Sequence, residues 1–329
     1  MQHLKHTWFF TILLLIVPFG INAQDTNPAP DFRLTGFFQQ HLSNGTHNGD
    51  PLAFSIRRIR VGVQGRVQDN VSFVLVAGGL EPPDRNPQLV NAFVNVNFSP
   101  ALSVRAGQFF VPFGLEGQES ITRNPAIDRS LVVRRLNTHR MFRDIGVQLS
   151  GGHGMFSYTA AVINGAGANV IERIDPKDFV GRISLRPMSN FEIGLSGQLG
   201  RYLPDITADD HIARNKYGID LNYRVSRLQV RSEIIYRYDE LPSDQEQNWI
   251  GGYLLGNYKI NDSLNLIGRF EYLERDTDTV LKTMRSYLFG ANYAVYGNIR
   301  LSGNYEFRQD YFVPDVKDHL VTVQMLFVI

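Results

Sequence analysis

The chain has 329 residues, of which 43% are hydrophobic and 20% are charged, and it contains no cysteine. The absence of cysteine excludes a small scaffold held by disulfides. The 33 basic and 32 acidic residues nearly cancel, which excludes the strongly basic balance that is typical of nucleic-acid binding. Only six basic residues are Lys. The excess of Arg favours a geometric use of cations, because the guanidinium plane binds oxyanions through a fixed fork of donors.

The N-terminus has the pattern of an export signal. Lys5 precedes an apolar run that ends at Phe19, and small and polar residues follow up to Ala23. We predict a cleaved signal peptide over residues 1–23. The alternative is an N-terminal membrane anchor, which the short run disfavours, because a spanning helix needs ~20 apolar residues. Residues 24–329 are predicted to form a single domain.

Alternation of polar and apolar residues predicts strands along the whole chain. It is clearest in RRIRVGVQGRV, residues 57–67, where Ile and Val alternate with Arg, Gly and Gln. Arg57 breaks the alternation, and we predict a bulge there or the start of the membrane crossing. About sixteen such segments of roughly 10 residues occur, the length that a tilted strand needs to cross a bilayer. In chain order they are Phe32–His41, Phe54–Gln68, Val71–Gly79, Gln88–Phe98, Leu102–Phe110, Arg143–Gly151, Met155–Asn164, Asp178–Arg186, Phe191–Arg201, Asn215–Val225, Leu228–Asp239, Trp249–Ile260, Leu264–Arg275, Arg285–Tyr296, Asn298–Gln309 and His319–Ile329.

The connections between these segments alternate between short and long. Short ones such as Asp69-Asn70 and Ser226-Arg227 have the composition of tight turns, whereas long ones include Leu42–Ala53, Glu240–Asn248 and Asp276–Met284. Short turns at one end and long loops at the other are typical of an outer-membrane barrel. A soluble sandwich explains the alternation equally well but has no reason to keep this phase. We therefore predict an all-β, transmembrane antiparallel β-barrel of about 16 strands in the bacterial outer membrane.

Three motifs carry a resemblance to a known family. RAGQFFVPFGLEGQES (Arg105–Ser120), DRSLVVRR (Asp128–Arg135) and RDIGVQLSGG (Arg143–Gly152) resemble the phosphate-selective porins O and P. The resemblance is dense from Arg57 to Asn164 and mainly architectural afterwards. It implies a sixteen-strand trimeric barrel with arginines along the lumen and an inward third loop, guiding phosphate or polyphosphate. The lysine-rich part of that family's filter has no counterpart here.

The longest connection, Val111–Phe142, is the third long loop. A loop of this length in a compact fold usually has a function, and sixteen strands leave an aqueous channel. We expect the loop to fold into the lumen and constrict it, the alternative being a solvated extracellular loop. The candidate constriction residues are its charged side chains, Glu116, Glu119, Arg123, Asp128, Arg129, Arg134, Arg135 and Arg140.

A second set of candidates lies on the strands. The segments from Phe54 to Phe110 contain no Asp or Glu, whereas the arginines of the last strands share their face with carboxylates. One wall is therefore predicted to be cationic and to act as an anion track, in which guanidinium groups replace part of the water shell of an oxyanion. The alternative is an unselective eyelet, in which these arginines face Glu116 and Glu119 across a transverse field. The predicted pore-lining residues are Arg58, Arg60, Arg66, Arg105, Arg182 and Arg186.

Other classes of function find little support. The eight His residues are scattered singly, and no nucleophile, base and acid stand together, so we expect no enzyme, no metal site and no cofactor. A structural or adhesive barrel remains an alternative. The favoured function is a porin for passive diffusion of small solutes, with a weak preference for anions such as phosphate. The expected partners are outer-membrane lipid, small anionic solutes and, through the resemblance, two further copies in a homotrimer. No nucleic-acid partner is expected.

Overall fold

The computed structural model describes residues 31–44, 51–79, 86–170, 177–202, 212–241, 245–277, 280–310 and 316–329. The predicted signal peptide lies outside these ranges. Over the described part of the chain, no helix has the length and apolar character needed to cross a membrane.

Sixteen antiparallel strands close into a barrel, in which each strand pairs with its neighbours in the chain and β1 pairs with β16. Closure gives every strand two hydrogen-bonded neighbours, which hydrocarbon requires because it offers no partner to a free backbone group. The predicted barrel is confirmed. The strands are β1 Asp31–Ser43, β2 Ala53–Gln68, β3 Val71–Gly79, β4 Gln88–Ser99, β5 Leu102–Phe110, β6 Arg143–His153, β7 Phe156–Ile163, β8 Asp178–Met188, β9 Phe191–Tyr202, β10 Ile212–Val225, β11 Leu228–Leu241, β12 Gln245–Lys259, β13 Leu264–Thr277, β14 Val280–Tyr296, β15 Ile299–Asp310 and β16 Val316–Val328.

Two connections in the second half are shorter than predicted. The segment Glu240–Asn248 lies mostly within β11 and β12, and Asp276–Met284 lies mostly within β13 and β14. The backbone ladders continue there, although most side chains on both faces are polar. Alternation marks only the part of a strand that borders hydrocarbon, so it cannot reveal this polar extension.

Of the two alternatives predicted for Arg57, a bulge or the start of the membrane crossing, the structure shows the bulge. Arg58 pairs with Gln39 of β1 while Ile56 pairs with the next residue, Gln40, so Arg57 is the extra residue of β2. A bulge bends its strand and redirects a side chain. Here the Arg57 guanidinium comes within 3.9 Å of the Asp128 carboxylate in the third loop.

The two faces of the barrel differ in exposure as the alternation requires. Ile59 and Val61 are 38% and 56% exposed, whereas Arg60 between them is 8% exposed. On a membrane barrel the exposed apolar face borders lipid and the opposite face borders the interior. Inward-facing polar residues such as Gln148 and Gln324 are buried.

The hydrophobic core lies between the third loop (residues 111–142) and the inward side of β11 to β14. The loop contains two 3-10 turns (Ile121–Arg123 and Arg140–Phe142) and one short α-helix, α1 (Leu131–Leu136). Helix α1 begins after Ser130, whose Oγ accepts a hydrogen bond from the Val133 amide at 3.4 Å. The apolar side chains of α1 are buried in one cluster with inward-facing residues of the barrel. The barrel residues of this cluster include Ile235, Trp249, Tyr253, Leu255, Ile267, Leu273, Met284 and Leu288.

Candidate pore interior

A glutamate on β11 binds the start of the third loop. The Glu233 carboxylate accepts hydrogen bonds from the backbone amides of Leu115 (3.0 Å) and Glu116 (2.7 Å), and from the Tyr253 hydroxyl (2.9 Å). Glu233 is 1% exposed. The loop has little regular structure, so its buried amides need partners elsewhere. The carboxylate on the wall supplies them.

A second glutamate binds the loop at the start of α1. The Glu271 carboxylate of β13 accepts hydrogen bonds from the Ser130 hydroxyl at 2.7 Å and from the Val132 amide at 3.2 Å. Its other oxygen is 2.7 Å from Arg269, which in turn donates to the Asp128 carbonyl at 2.9 Å. Arg269 and Glu271 therefore share the inward face of β13, as the alternation predicts for the arginines and carboxylates of the last strands. The pair also holds the loop, a role that its spacing in the sequence did not indicate.

Amide and guanidinium donors on the wall complete the attachment. Asn292 of β14 donates to the Pro125 carbonyl at 2.8 Å, and Arg300 of β15 donates to the Asn124 carbonyl at 3.4 Å. The third loop thus contacts inward-facing side chains from β11 to β15, on strands far from the β5–β6 pair that it connects. Carboxylates on this wall accept from loop amides, and donors on the same wall bind loop carbonyls.

The end of the third loop is held by a buried histidine. His139 is 1% exposed; its Nδ1 lies 2.9 Å from the Asp144 carboxylate, and its Nε2 lies 2.7 Å from the Gln198 side-chain nitrogen. Asp144 also accepts the amides of Gly165 and Gly167, both at 3.0 Å. The sequence does not reveal this role of His139, because its partners Asp144 and Gln198 lie on β6 and β9. Among the described residues, no group of side chains could hold a metal ion.

Several predicted constriction residues stabilise the loop itself. Glu116 is 2% exposed and accepts the Ser130 amide at 2.9 Å. Arg129 is 8% exposed, donates to the Glu116 carbonyl at 3.0 Å and lies over the Phe142 ring at 4.5 Å. Neither side chain is presented to a passing solute in this arrangement. This departs from the eyelet alternative, in which Glu116 faces the arginines.

The other predicted loop residues differ in their surroundings. Glu119 is half-buried and lies 2.9 Å from Arg231 of β11, the wall opposite to the one predicted. Arg123 and Arg135 are exposed, whereas Arg134 and Arg140 are half-buried. No single charged row therefore follows the loop.

Asp128 is the loop carboxylate that faces the cationic wall. It lies 3.5 Å from Arg58 and 3.9 Å from Arg57. Partial burial favours protonation of Asp128, but the guanidinium groups of Arg57, Arg134 and Arg58 outweigh it and hold the pKa of the carboxyl well below its usual range. Three guanidinium groups thus act on this carboxylate.

The predicted arginines of the early strands lie as the alternation indicates. Arg58 donates to Gln39 at 3.0 Å, and Arg60 lies 5.4 Å from the Phe37 ring centroid. Arg105 lies 4.3 Å above the centroid of the Phe93 ring. Stacking on aromatic faces holds guanidinium planes in place. Arg66 is exposed near the short-turn end of β2.

The predicted arginines of β8 differ from the others. Arg182 lies 2.5 Å from Asp220 of β10 and 3.1 Å from Glu192 of β9, and Arg186 is also ion-paired with Glu192. The sequence predicts both in the anion track, whereas in the structure carboxylates on β9 and β10 compensate their charge. Asp220 shares its face with Arg224 of the same strand, but its ion-pair partner is Arg182. The register of β8 to β10, which the sequence does not reveal, decides these partners.

Comparison with known proteins supports an outer-membrane channel. The family model described as "Putative beta-barrel porin-2, OmpL-like" matches residues 63–314. No curated protein matches the chain significantly.

Solved structures resemble the fold at low sequence identity. The outer membrane channel DcaP of Acinetobacter baumannii is 14% identical, with a TM-score of 0.73, and the match covers 92% of this chain and 98% of that chain. The anion-selective porin from Comamonas acidovorans is 12% identical, with a TM-score of 0.69 and coverage of 91% and 100%. The trimer form of OmpT, an outer membrane protein of Vibrio cholerae, is 12% identical, with a TM-score of 0.70 and coverage of 92% and 100%. At these identities the likeness concerns the fold.

The family match is to the OmpL-like porins, and the relation to the phosphate-selective porins O and P stays a resemblance. The matched region runs from β2 to the end of β15 and includes the whole third loop. The chain therefore belongs to the OmpL-like beta-barrel porin-2 family and is a porin-like channel protein of the bacterial outer membrane.

Proposed function

We propose that this porin conducts small solutes by passive diffusion with a weak preference for anions. One observation carries the proposal: β2 to β5 contain no Asp or Glu, yet Arg58, Arg60, Arg66 and Arg105 alternate with lipid-facing residues there. A wall whose strands carry fixed cations and no acidic residue favours anions, since guanidinium groups replace part of an anion's hydration.

The opposite wall contributes little net charge to the proposed path. Its carboxylates Glu233 and Glu271 accept from the third loop, and Asp239 and Glu306 are ion-paired with Arg237 and Arg308. We propose that the loop, attached in this way, narrows the lumen and leaves the solute path beside the arginines of the early strands. Arg182 and Arg186 lie outside this reduced track, because their charges are compensated.

Phosphate selectivity is a narrower possibility that the third loop does not support. This loop has no Lys, and its buried Arg129 is occupied by backbone carbonyls. An unselective eyelet is the second candidate, favoured by the carboxylate of Asp128 opposite Arg57 and Arg58. We propose in addition a homotrimer, by analogy with the trimer form of OmpT.

A triple substitution tests the proposal. In planar bilayers, Arg58→Gln, Arg60→Gln and Arg66→Gln together are expected to shift the zero-current potential in a salt gradient towards cations. A matched variant with Lys at the three positions keeps the charge and should keep the preference. Unchanged selectivity in the Gln variant would refute the anion track. A folded protein without any conductance would refute the porin and favour a structural or adhesive barrel.

A further inference from the structure

Four polar side chains form one inward-facing row across β14, β15, β16 and β1. Cross-strand pairing joins Asn292 to Ser302, Ser302 to Gln324, and Gln324 to His41. Side chains at directly paired positions have Cβ atoms about 4.5–5.5 Å apart. All four residues are at most 5% exposed. Each polar atom of the row therefore needs a hydrogen-bond partner in the interior, since a buried group without one loses its bonds to solvent and gains nothing in return.

The third loop covers this row near its start. Asn292 donates to the Pro125 carbonyl at 2.8 Å, and Arg300 donates to the Asn124 carbonyl at 3.4 Å. Ser302 is the cross-strand partner of Asn292 and lies two residues from Arg300 on the same face of β15. Ser302 therefore lies next to both contacts with the loop. Asn124 is itself 2% exposed, so its side chain is enclosed between the loop and the wall.

Several buried polar atoms at this contact are unpaired. In the described part of the chain, six atoms have no hydrogen-bond partner: Oδ1 and Nδ2 of Asn124, Oδ1 of Asn292, Oγ of Ser302, Nε2 of Gln324 and Nε of Arg300. The other side-chain atom of Gln324 lies 2.9 Å from Nε2 of His41, so turning this amide over would only exchange which of its atoms is unpaired. Folded proteins leave few buried polar atoms in this state, and here they lie together.

The mixture of donors and acceptors decides the chemical class of the ligand. The amide nitrogens of Asn124 and Gln324 only donate, whereas the amide oxygens of Asn124 and Asn292 only accept. A single anion would face these oxygens and a metal cation would face the N–H groups, so a neutral ligand that both donates and accepts fits best. The short distances between paired side chains favour a very small one.

We propose that bound water joins the third loop to this wall, in a buried site formed by Asn124, Asn292, Ser302 and Gln324. A buried water makes ~3 hydrogen bonds, so the six atoms require about two molecules. Glu233 holds the loop through direct hydrogen bonds on β11, whereas the site on β14 to β16 holds it through water. A bridging water is enthalpically nearly as good as a direct hydrogen bond, so the site stabilises this part of the loop. This attachment does not depend on which ions the pore prefers.

A crystal structure of the full chain, at a resolution that shows ordered water, tests the proposal. We expect about two waters, each within hydrogen-bond distance of at least two of the six atoms. Ser286 of β14 is the internal control: it is also buried, but its hydroxyl donates directly to Glu306 at 2.7 Å, and no bridging water is expected there. Direct bonds among the six atoms, without water between them, would overturn the proposal. Because Arg300 would also attract an anion, a second crystal contains bromide in place of chloride, and an anomalous bromide peak at the site would overturn it too.

Two substitutions test the same site by the denaturation temperature of the protein in detergent. Asn124→Leu and Ser302→Ala remove side-chain atoms that have no bond to any described residue. If water bridges them, each variant should melt at a lower temperature, and the double variant should lose less than the sum, because both residues bind the same water. Without bound water the variants remove only unpaired polar groups, and the denaturation temperature should stay the same or rise.

Ser55→Ala is the matched control for these variants. Ser55 of β2 is the cross-strand partner of His41 in the same row, but it is only half-buried, so its substitution should leave the denaturation temperature unchanged. Slow migration of unheated protein on SDS gels shows that each variant is folded. An unchanged or raised denaturation temperature in both Asn124→Leu and Ser302→Ala, or an equal loss in Ser55→Ala, would overturn the proposal. Neither experiment measures conductance, so the result is independent of the proposed selectivity.

Discussion

Neutralising Asp128 is the perturbation from which the structure predicts the clearest change in selectivity. The carboxylate lies 3.5 Å from Arg58 and 3.9 Å from Arg57, and it also acts on Arg134. Asp128→Asn keeps the size of the side chain and removes its charge. The three guanidinium groups then lose the negative charge of this carboxylate.

The magnitude follows from Coulomb's law. For an ion that passes ~8 Å away, one unit charge is worth ~0.5 kcal/mol in water and ~2 kcal/mol at an effective dielectric constant of about 20. Asp128 is partly exposed, so solvent and salt favour the lower half of this range. The local concentration of a monovalent anion should therefore rise roughly two- to eightfold, and the permeability ratio of anion to cation should rise with it.

The assay is the zero-current potential across a planar bilayer with a KCl gradient. Asp262→Asn is the control, because Asp262 is a fully exposed turn residue whose carboxylate pairs with Lys259 at 2.8 Å. The pKa of Asp128 lies well below its usual range, so the carboxyl stays ionised as the pH falls and the difference between wild type and variant should persist at pH 5. An unchanged ratio, or a shift towards cations, would refute the placement of Asp128 beside the ion path.

Three further predictions concern the attachment of the loop and the paired arginines. Glu233→Ala removes the acceptor of the Leu115 and Glu116 amides. Because each buried amide without an acceptor costs ~1–3 kcal/mol, the free energy of unfolding should fall by about 2–6 kcal/mol. Single-channel recordings should also become noisier. Unchanged stability would contradict the attachment. Arg182→Gln should lower the denaturation temperature, because it leaves the buried Asp220 carboxylate without this cation. It should have little effect on ion selectivity. A clear shift towards cations would show instead that Arg182 belongs to the anion track. The chain lacks cysteine, so the double variant Val132→Cys and Gly251→Cys should form one defined disulfide between α1 and β12, which a gel-shift assay would detect. Bilayer recordings should then show an unchanged conductance. A changed conductance would mean that the loop moves during transport.

The barrel could be predicted because its signals are local. The composition of each short turn, such as Asp69-Asn70, indicates a turn directly. The alternation of short turns and long loops then gives the direction in which each strand crosses the membrane. The bulge at Arg57 was visible for the same reason, since a single extra residue breaks a period of two. Where a strand extends beyond the hydrocarbon into water, its alternation disappears. The loops predicted for Glu240–Asn248 and Asp276–Met284 are therefore longer than the loops in the structure.

The interior could be predicted only in part, because its partners are distant in sequence. Arg58 and Arg60 were placed on the inward face by alternation alone. The pairing of Arg182 with Asp220 depends on the register of three strands, and alternation defines a face but not a register. The attachment of the loop to Glu233 was hidden for another reason. Every residue except Pro has a backbone N–H, so the types of the residues that donate to this carboxylate do not indicate the contact.

The zero-current potential of the unmodified protein tests the central claim most directly. With KCl at different concentrations on the two sides, K⁺ and Cl⁻ have nearly equal mobilities in water, so the sign of the potential reports the charge preference of the pore. The proposed anion preference predicts a zero-current potential with the sign of the chloride equilibrium potential. This potential should shrink as the salt concentration rises and screens the arginines. A potential with the sign of the potassium equilibrium potential would contradict the claim that the arginines of β2 to β5 line the path of the solute.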